Sequence, residues 1–404
     1  MKDADIERIS ASVISRGLAG QSELALLHGF CADCVEAGLP LTIGTAVIDT
    51  LHPIHEGRAF NWRADGMLEQ EVSEYSPTSY SEENWRRSVF YHLLQSGEDE
   101  LRRRLDAGTL QVFSYLDRIA TEGQTDYIAF LQRFDRDVAI GEMDSIYTQW
   151  ATARASGFTD GEIAALRRLV PVLALALKST SLARVTETIA EVYLGRDAGA
   201  RVLKGRIVRG VADRIHAVLW YSDLRDFTTI TDTNLPEEVI PLLNDYADAV
   251  ISAIHEAGGD VLKLIGDGTL AIFGGAEPEE TCRRALAAEV SMRQRIAALN
   301  AARREEGRPT AGVHLGLHIG DVFYGNIGST TRLDFTVIGP AVNEVSRIVA
   351  LCRSVDRDIL ISSDFAAATP EAARGQLVSV GRFALRGVSR AQDLYTIDPA
   401  LLRA

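Results

Sequence analysis

A helical stretch from about Thr159 to Lys204 separates two strand-containing regions, which limits the chain to at least two folding units joined through a helix. It opens with a helix-start signal. In GFTDGEIAALRRLVPVLALAL, Thr159 or Asp160 can cap the first turn and Glu162 places an acid near its positive end. Pro171 is a place for a kink. Further on, Leu182, Val185, Ile189 and Val192 step by three, four and three residues, which draws an apolar seam along one side. Such a seam serves either a helix pair with a second copy or packing onto the helix's own domain. Gly195, Gly199 and Gly205 then lower helix propensity and mark a break. With domains running to roughly 100–200 residues, the expected division is 1–178, a helical linker at 179–212, and 213–404.

The N-terminal region reads as mixed α/β. GLPLTIGTAVIDTLH and SIYTQWATARAS have strand character, and EENWRRSVFYHLLQSGEDELRRRLDAG reads as one helix with charged faces. His28, Cys31 and Cys34 in HGFCADCVEAG fall three apart along a helix, a spacing open to metal, haem or redox chemistry. No second ligand pair has zinc-finger spacing, so a buried face lined by small cysteines is the simpler expectation. The strongly apolar run Leu169–Leu177 falls well short of the roughly 20 residues of a membrane helix, and MKDADIERIS lacks a signal-peptide core. Four cysteines make no disulfide framework. The expectation is a cytoplasmic protein with no membrane partner. A formal charge of −14 argues against nucleic acid as a general partner, while leaving room for a local basic pocket.

The C-terminal half carries the chemistry. HAVLWYSDLRDFTTIT is an apolar strand that presents Asp223 and Asp226 where it ends. PEEVIPLLNDYADAVISAIHEAGG follows as an amphipathic helix, with Pro236 in its first turn and Gly258 and Gly259 at its end. DVLKLIGDGTLAIFGG is a hairpin, with Asp267 at its Asp-Gly tip. A second helix, ETCRRALAAEVSMRQRIAALNAARR, and the strand VHLGLHIGDVFYGNIG complete a ferredoxin-like order. Its first strand and hairpin lie side by side, so Asp223 and Asp267 can face one site. Two carboxylates plus a substrate's own oxygens suffice for a magnesium–nucleotide complex.

YSDLRDFT, KLIGDGTLAIF, GLHIGDVFYGNIG, FTVIGPAVNEVSR and FALRGVSRAQDLY resemble, in this order and spacing, the successive motifs of the class III nucleotidyl cyclase domain. The fold expected overall is α+β: a ferredoxin-like cyclase domain, a helical, coiled-coil-like linker, and an N-terminal domain whose last third resembles a GAF-type sensor. The resemblance implies a reaction in which the ribose 3′-hydroxyl attacks the α-phosphate in line and pyrophosphate leaves, under two Mg2+ or Mn2+ ions. It makes Asp223 and Asp267 the metal ligands, and the backbone amides of Leu224, Arg225, Asp226 and Phe227 a phosphate cradle. Asn343 would orient the ribose, Arg347 would stabilise charge on the α-phosphate, and Arg386 would meet the terminal phosphates. Asp226 stands where many relatives have glycine and reads as a first-turn acid.

The resemblance also assigns base reading to Lys263 and Thr336. Lysine donates to an adenine ring nitrogen and the threonine hydroxyl accepts from the exocyclic amine, a pattern guanine reverses. ATP is the expected substrate, and Thr336 is similar to the class IIIb subgroup. Because family sites lie between two cyclase domains and this chain carries both sets of residues, a homodimer with two equivalent sites is implied. A small-molecule or protein signal at the N-terminal domain is the other expected partner. The competing readings are a guanylyl cyclase and a non-catalytic nucleotide-binding regulator on a cyclase fold.

Overall fold

A computed structural model describes residues 1–398 apart from 69, 77–81, 106–111, 136–139, 142 and 389. The chain divides into two compact units, Met1–Ile189 and Ala190–Ala404.

The first unit runs α1 (Asp3–Leu18), α2 (Glu23–Glu36), β1 (Ile43–Asp49), β2 (Gly57–Arg63), β3 (Val72–Tyr75), α3 (Glu82–Arg86), α4 (Val89–Ser96), β4 (Glu100–Arg104), α5 (Ser114–Thr121), β5 (Asp126–Arg133), β6 (Ser145–Thr152) and α6 (Asp160–Leu194). Its antiparallel sheet has the order β3-β2-β1-β6-β5-β4. Side chains alternate across the strands, so each face has its own core. Ala46, Ile48, Ile146 and Trp150 pack with α1, α2 and α6, whereas Ile43, Val47, Ala129 and Tyr147 pack with α4 and α5.

The segment expected to be one charged helix is instead α3, α4 and the strand β4. Ser88 caps α4 by accepting from the Tyr91 amide at 3.1 Å, which restarts the helix after α3. ELRRR then pairs antiparallel with β5, a long-range contact that outweighs local propensity. Cys31 and Cys34 are fully buried among apolar neighbours, and burial pushes the Cys34 thiol up to about 12. His28 turns instead to the Asn61 carbonyl, 3.1 Å from Nε2. Helix α6 continues through Pro171, which lies on its exposed side. It is long and apolar enough to cross a membrane by composition, yet Leu166, Leu169, Val170, Leu173 and Leu177 fill the N-terminal core. Along the seam Val185 is buried, while Ile189 and Val192 are 36% and 51% exposed.

The second unit continues with α7 (Arg196–Leu203), β7 (Ala212–Leu224), α8 (Phe227–Thr233), α9 (Pro236–Glu256), β8 (Asp260–Ile265), β9 (Gly268–Gly274), α10 (Pro278–Glu305), β10 (Val313–Gly328), β11 (Leu333–Ile338), α11 (Pro340–Val355), β12 (Ile359–Ser362), α12 (Ser363–Ala368), α13 (Glu371–Arg374), β13 (Leu377–Phe383) and β14 (Gln392–Ile397). The sheet order is β13-β14-β12-β10-β7-β9-β8, with β11 paired to the far end of β10. The succession β7-α9-β8-β9-α10-β10 is the expected ferredoxin-like unit. Helices α9, α10 and α12 cover one face, over Val218, Trp220, Phe273, Leu315 and Leu317. On the other face Leu219, Leu270, Ile272 and Val322 meet α7, β11 and the start of α11. By alternation Asp223 at the end of β7 belongs to that second face.

Candidate active site

Asp223 shares its strand face with Leu219 and Tyr221, opposite the face beneath α9 and α10, and stands directly across from His314 in the β7–β10 register. Asp267 sits in the turn between β8 and β9, where Gly266 at φ 64° supplies the left-handed residue the turn needs. β9 pairs with β7, so the hairpin tip lands beside the end of β7. The Leu224 amide donates to Asp267 Oδ2 at 3.2 Å, and Asp223 and Asp267 line one cavity of about 100 Å³.

The electrostatics of this pair are unfavourable as they stand. Asp223 Oδ1 is buried and accepts no hydrogen bond; His314 Nδ1, 3.6 Å away, is its nearest ionic neighbour. Burial, reinforced by the charge of Asp223, holds the Asp267 carboxyl above the usual carboxylate range. Among the described residues neither carboxylate has an arginine or lysine partner. No three His, Cys, Asp or Glu side chains there form a closed metal cage. An orphaned carboxylate oxygen beside a second carboxylate fits a hard divalent cation whose remaining ligands come from substrate and water.

Four further amides were expected to cradle phosphate, and two are otherwise engaged. Leu224 N–H goes to Asp267, and Arg225 N–H donates to the Gly312 carbonyl at 2.9 Å. Those of Asp226 and Phe227 stand at the open start of α8. Asp226 is not a first-turn acid but the residue before the helix, in the left-handed conformation at φ 58°, which explains why glycine suits this position. Its carboxylate lies 3.7 Å from Arg225 and 3.6 Å from Arg353.

Lys263 and Thr336 come from β8 and β11, and the fold links them through a residue that sequence reasoning missed. Asp334 forms an ion pair with Lys263 and lies two positions before Thr336, on the same side of β11. The only local hint was that two-residue step, since 71 positions separate the ion-pair partners. Asn343 and Arg347 occupy the exposed side of α11 one turn apart, and their side chains have no partner among the described residues. Arg386 is exposed in the turn after β13. None of Lys263, Thr336, Asn343, Arg347 and Arg386 lines the cavity of the two aspartates. Within one chain the fold therefore presents separate groups: a carboxylate pair, and cationic and polar side chains on β8, β11 and α11.

Residues 212–398 match the model of the adenylate and guanylate cyclase catalytic domain. An adenylate cyclase of Anabaena cylindrica is 36% identical over 157 residues, 38% of this chain and 30% of that protein. The chain thus spans less than a third of that relative's length. Among solved structures, the adenylyl cyclase CyaB of P. aeruginosa is 26% identical with a TM-score of 0.42, over 46% of this chain and 95% of that one. The guanylyl cyclase Cya2 is 28% identical with a TM-score of 0.41, over 46% of this chain and 93% of that one.

Proposed function

Since residues 212–398 form a class III cyclase catalytic domain, we propose that this protein converts ATP into 3′,5′-cyclic AMP and pyrophosphate at sites shared between two copies of the chain. The observation that carries the reading is the pair Asp223 and Asp267, two neighbouring carboxylates on one cavity with no arginine or lysine partner among the described residues. Two Mg2+ or Mn2+ ions bound there would make the ribose 3′-hydroxyl more acidic and neutralise charge on the triphosphate. The chain's own residues do the rest. Asp223 and Asp267 hold the metal-binding edge, and the Asp226 and Phe227 amides meet phosphate oxygens. On the second copy Lys263 donates to the adenine ring, Thr336 accepts from its amine, Asn343 orients the ribose, and Arg347 stabilises the charge that grows on the α-phosphate. Arg386 meets the terminal phosphates.

Dimerisation is supported by the separation of the two residue sets within one chain and by the exposed seam at Ile189 and Val192. The N-terminal unit acts as a GAF-like sensor that sets the relative rotation of two cyclase domains through the helical linker. Inserting residues that shift the linker's heptad phase should then change activity, and a series with unchanged kinetics would remove this part of the reading.

The deciding assay incubates purified protein with ATP or GTP and Mg2+ or Mn2+ and looks for cyclic product. Cyclic AMP from ATP is expected; product from GTP alone makes the protein a guanylyl cyclase, and none from either makes it a nucleotide-binding regulator. Mixing Asp223→Ala with Arg347→Ala protein tests the shared site. Each variant alone should be inactive, and the mixture should regain activity because mixed dimers contain one intact site. No recovery would argue for sites within single chains.

A further inference from the structure

The motif GLHIG, residues 316–320, has no part in the reaction outlined above. Alternation along β10 sends Leu315, Leu317 and Ile319 into the core under α9 and α10, and turns Gly316, His318 and Gly320 to the face that α11 covers. A Cβ on Gly316 would come within 3.0 Å of the Val345 carbonyl oxygen and the Val349 nitrogen, and one on Gly320 within 2.8 Å of Ala341 Cβ. The two glycines therefore let α11 rest directly on the strand backbone. His318 is the side chain that projects between them.

His318 is hydrogen-bonded at one ring nitrogen and faces a carboxylate at longer range with the other. Nδ1 lies 2.9 Å from Ser362 Oγ, and Nε2 lies 3.5 Å from Glu344 Oε2. Ser362 Oγ accepts from the Phe365 amide at 3.2 Å, so its own hydrogen can point at Nδ1, which leaves the imidazole proton on Nε2, facing Glu344. Gln392 Nε2, from β14, donates to the same Glu344 oxygen at 2.7 Å. Burial holds the His318 imidazole below its ordinary range, hence neutral near pH 7, although the charges of Glu344 and Asp364 oppose this. Glu344 lies beside the packed stripe of α11 with its side chain 18% exposed, and the hydration its carboxylate loses there is costly unless donors replace it. Only one rotation of the helix brings it to both His318 and Gln392. That rotation also sets where its neighbour Asn343 and Arg347, three positions on, project.

We propose that His318, Glu344 and Gln392 form a polar clamp that fixes the rotation of α11 on the sheet and so aims Asn343 and Arg347 at the reacting phosphate. These are positioning residues, and their effect on turnover rests on the cyclase reading. The test compares wild type with Glu344→Ala, His318→Leu and Glu344→Gln, measuring kcat and KM for ATP per folded protein. Hydrogen–deuterium exchange across 341–349 is read on the same samples. The alanine and leucine variants should lose roughly 10- to 100-fold in kcat with KM changed less than about 2-fold, since misaimed groups act on the transition state more than on ground-state binding. Exchange in α11 should rise roughly 10-fold as its seat loosens. Glu344→Gln keeps an oxygen for both donors and should recover most of the rate. Folded variants whose kcat stays within about 2-fold of wild type, or whose α11 exchange is unchanged, overturn the clamp. Should Glu344→Ala not fold, Gln392→Leu removes one arm from β14 without altering α11 and carries the same expectations. A wild type that makes no cyclic nucleotide defeats the cyclase reading by itself, and the exchange measurement then decides the clamp alone.

Discussion

Acids withdrawn from water are treated in opposite ways at two places in this chain. Among the described residues of the N-terminal unit each buried acid is answered. Asp126, fully buried, accepts from Arg102 at 2.7 Å, from the Phe158 amide at 2.9 Å and from the Tyr127 amide at 3.0 Å. Glu23 accepts from Arg184 at 2.8 and 3.0 Å; burial pushes its carboxyl up, but the Arg184 hydrogen bond and charge outweigh this and hold it below the usual range. In the C-terminal unit buried Glu289 is likewise paired with Arg293 at 3.1 Å, whereas half-buried Asp223 and Asp267 have no arginine or lysine partner among the described residues, one with an orphaned oxygen and one pushed up. Placing a carboxylate out of water costs free energy in either unit. Where the fold supplies arginines the group ties elements together; where it withholds them it leaves a demand that a ligand can meet.

The largest consequence concerns turnover. Asp223→Ala should lower cyclic-nucleotide formation by at least roughly 10³-fold while leaving the melting temperature nearly unchanged, because this side chain holds no element in place. Substantial residual activity in an assay with Mn2+ would break the comparison at its functional end. Its structural end is tested by Asp126→Ala, which removes the acceptor shared by Arg102 and the buried Phe158 amide and should reduce the unfolding free energy by about 3 kcal/mol in urea titrations. A cost under about 1 kcal/mol would mean the answered acids matter little to stability.

Lys263→Glu reverses the charge of the cation that Asp334 holds, and the ratio of kcat/KM for ATP over GTP should drop roughly 10²-fold. The smallest effect separates stability from function most sharply. Because the fold raises Asp267 above its unfolded value, its favourable contribution exists below the ordinary carboxylate range and is lost as pH rises through the folded value. At pH 7 the metal-free protein therefore carries a strain that Asp267→Asn removes, which should raise its melting temperature by about 1–2 °C. Mn2+ should stabilise the wild type further and the variant little. A variant that melts lower without metal would show that Asp267 is structural after all.

Most of the catalytic sheet was legible because its signals are local: an apolar run ending in Asp223, an Asp-Gly turn at Asp267, and amphipathic helices between. The α4–β4 segment was misread because a run such as ELRRR looks helical by itself, and only pairing with β5 makes it a strand. The Leu224 and Arg225 amides looked free for phosphate until the neighbouring hairpin and the Gly312 loop claimed them. Beyond the two-residue step from Asp334 to Thr336, the pairs Lys263–Asp334 and His318–Glu344 left no mark in sequence spacing, since each joins elements that meet only after the sheet has closed.

By itself, then, the sequence determined which residues carry charge and on which kind of element each stands, because alternation, turn chemistry and helix periodicity act over a few neighbours. Which charges are answered was decided only by the tertiary structure. An ion pair or an orphaned oxygen depends on what lies within a few ångströms, and for Asp223, Asp126 and Glu344 those neighbours come from distant parts of the chain.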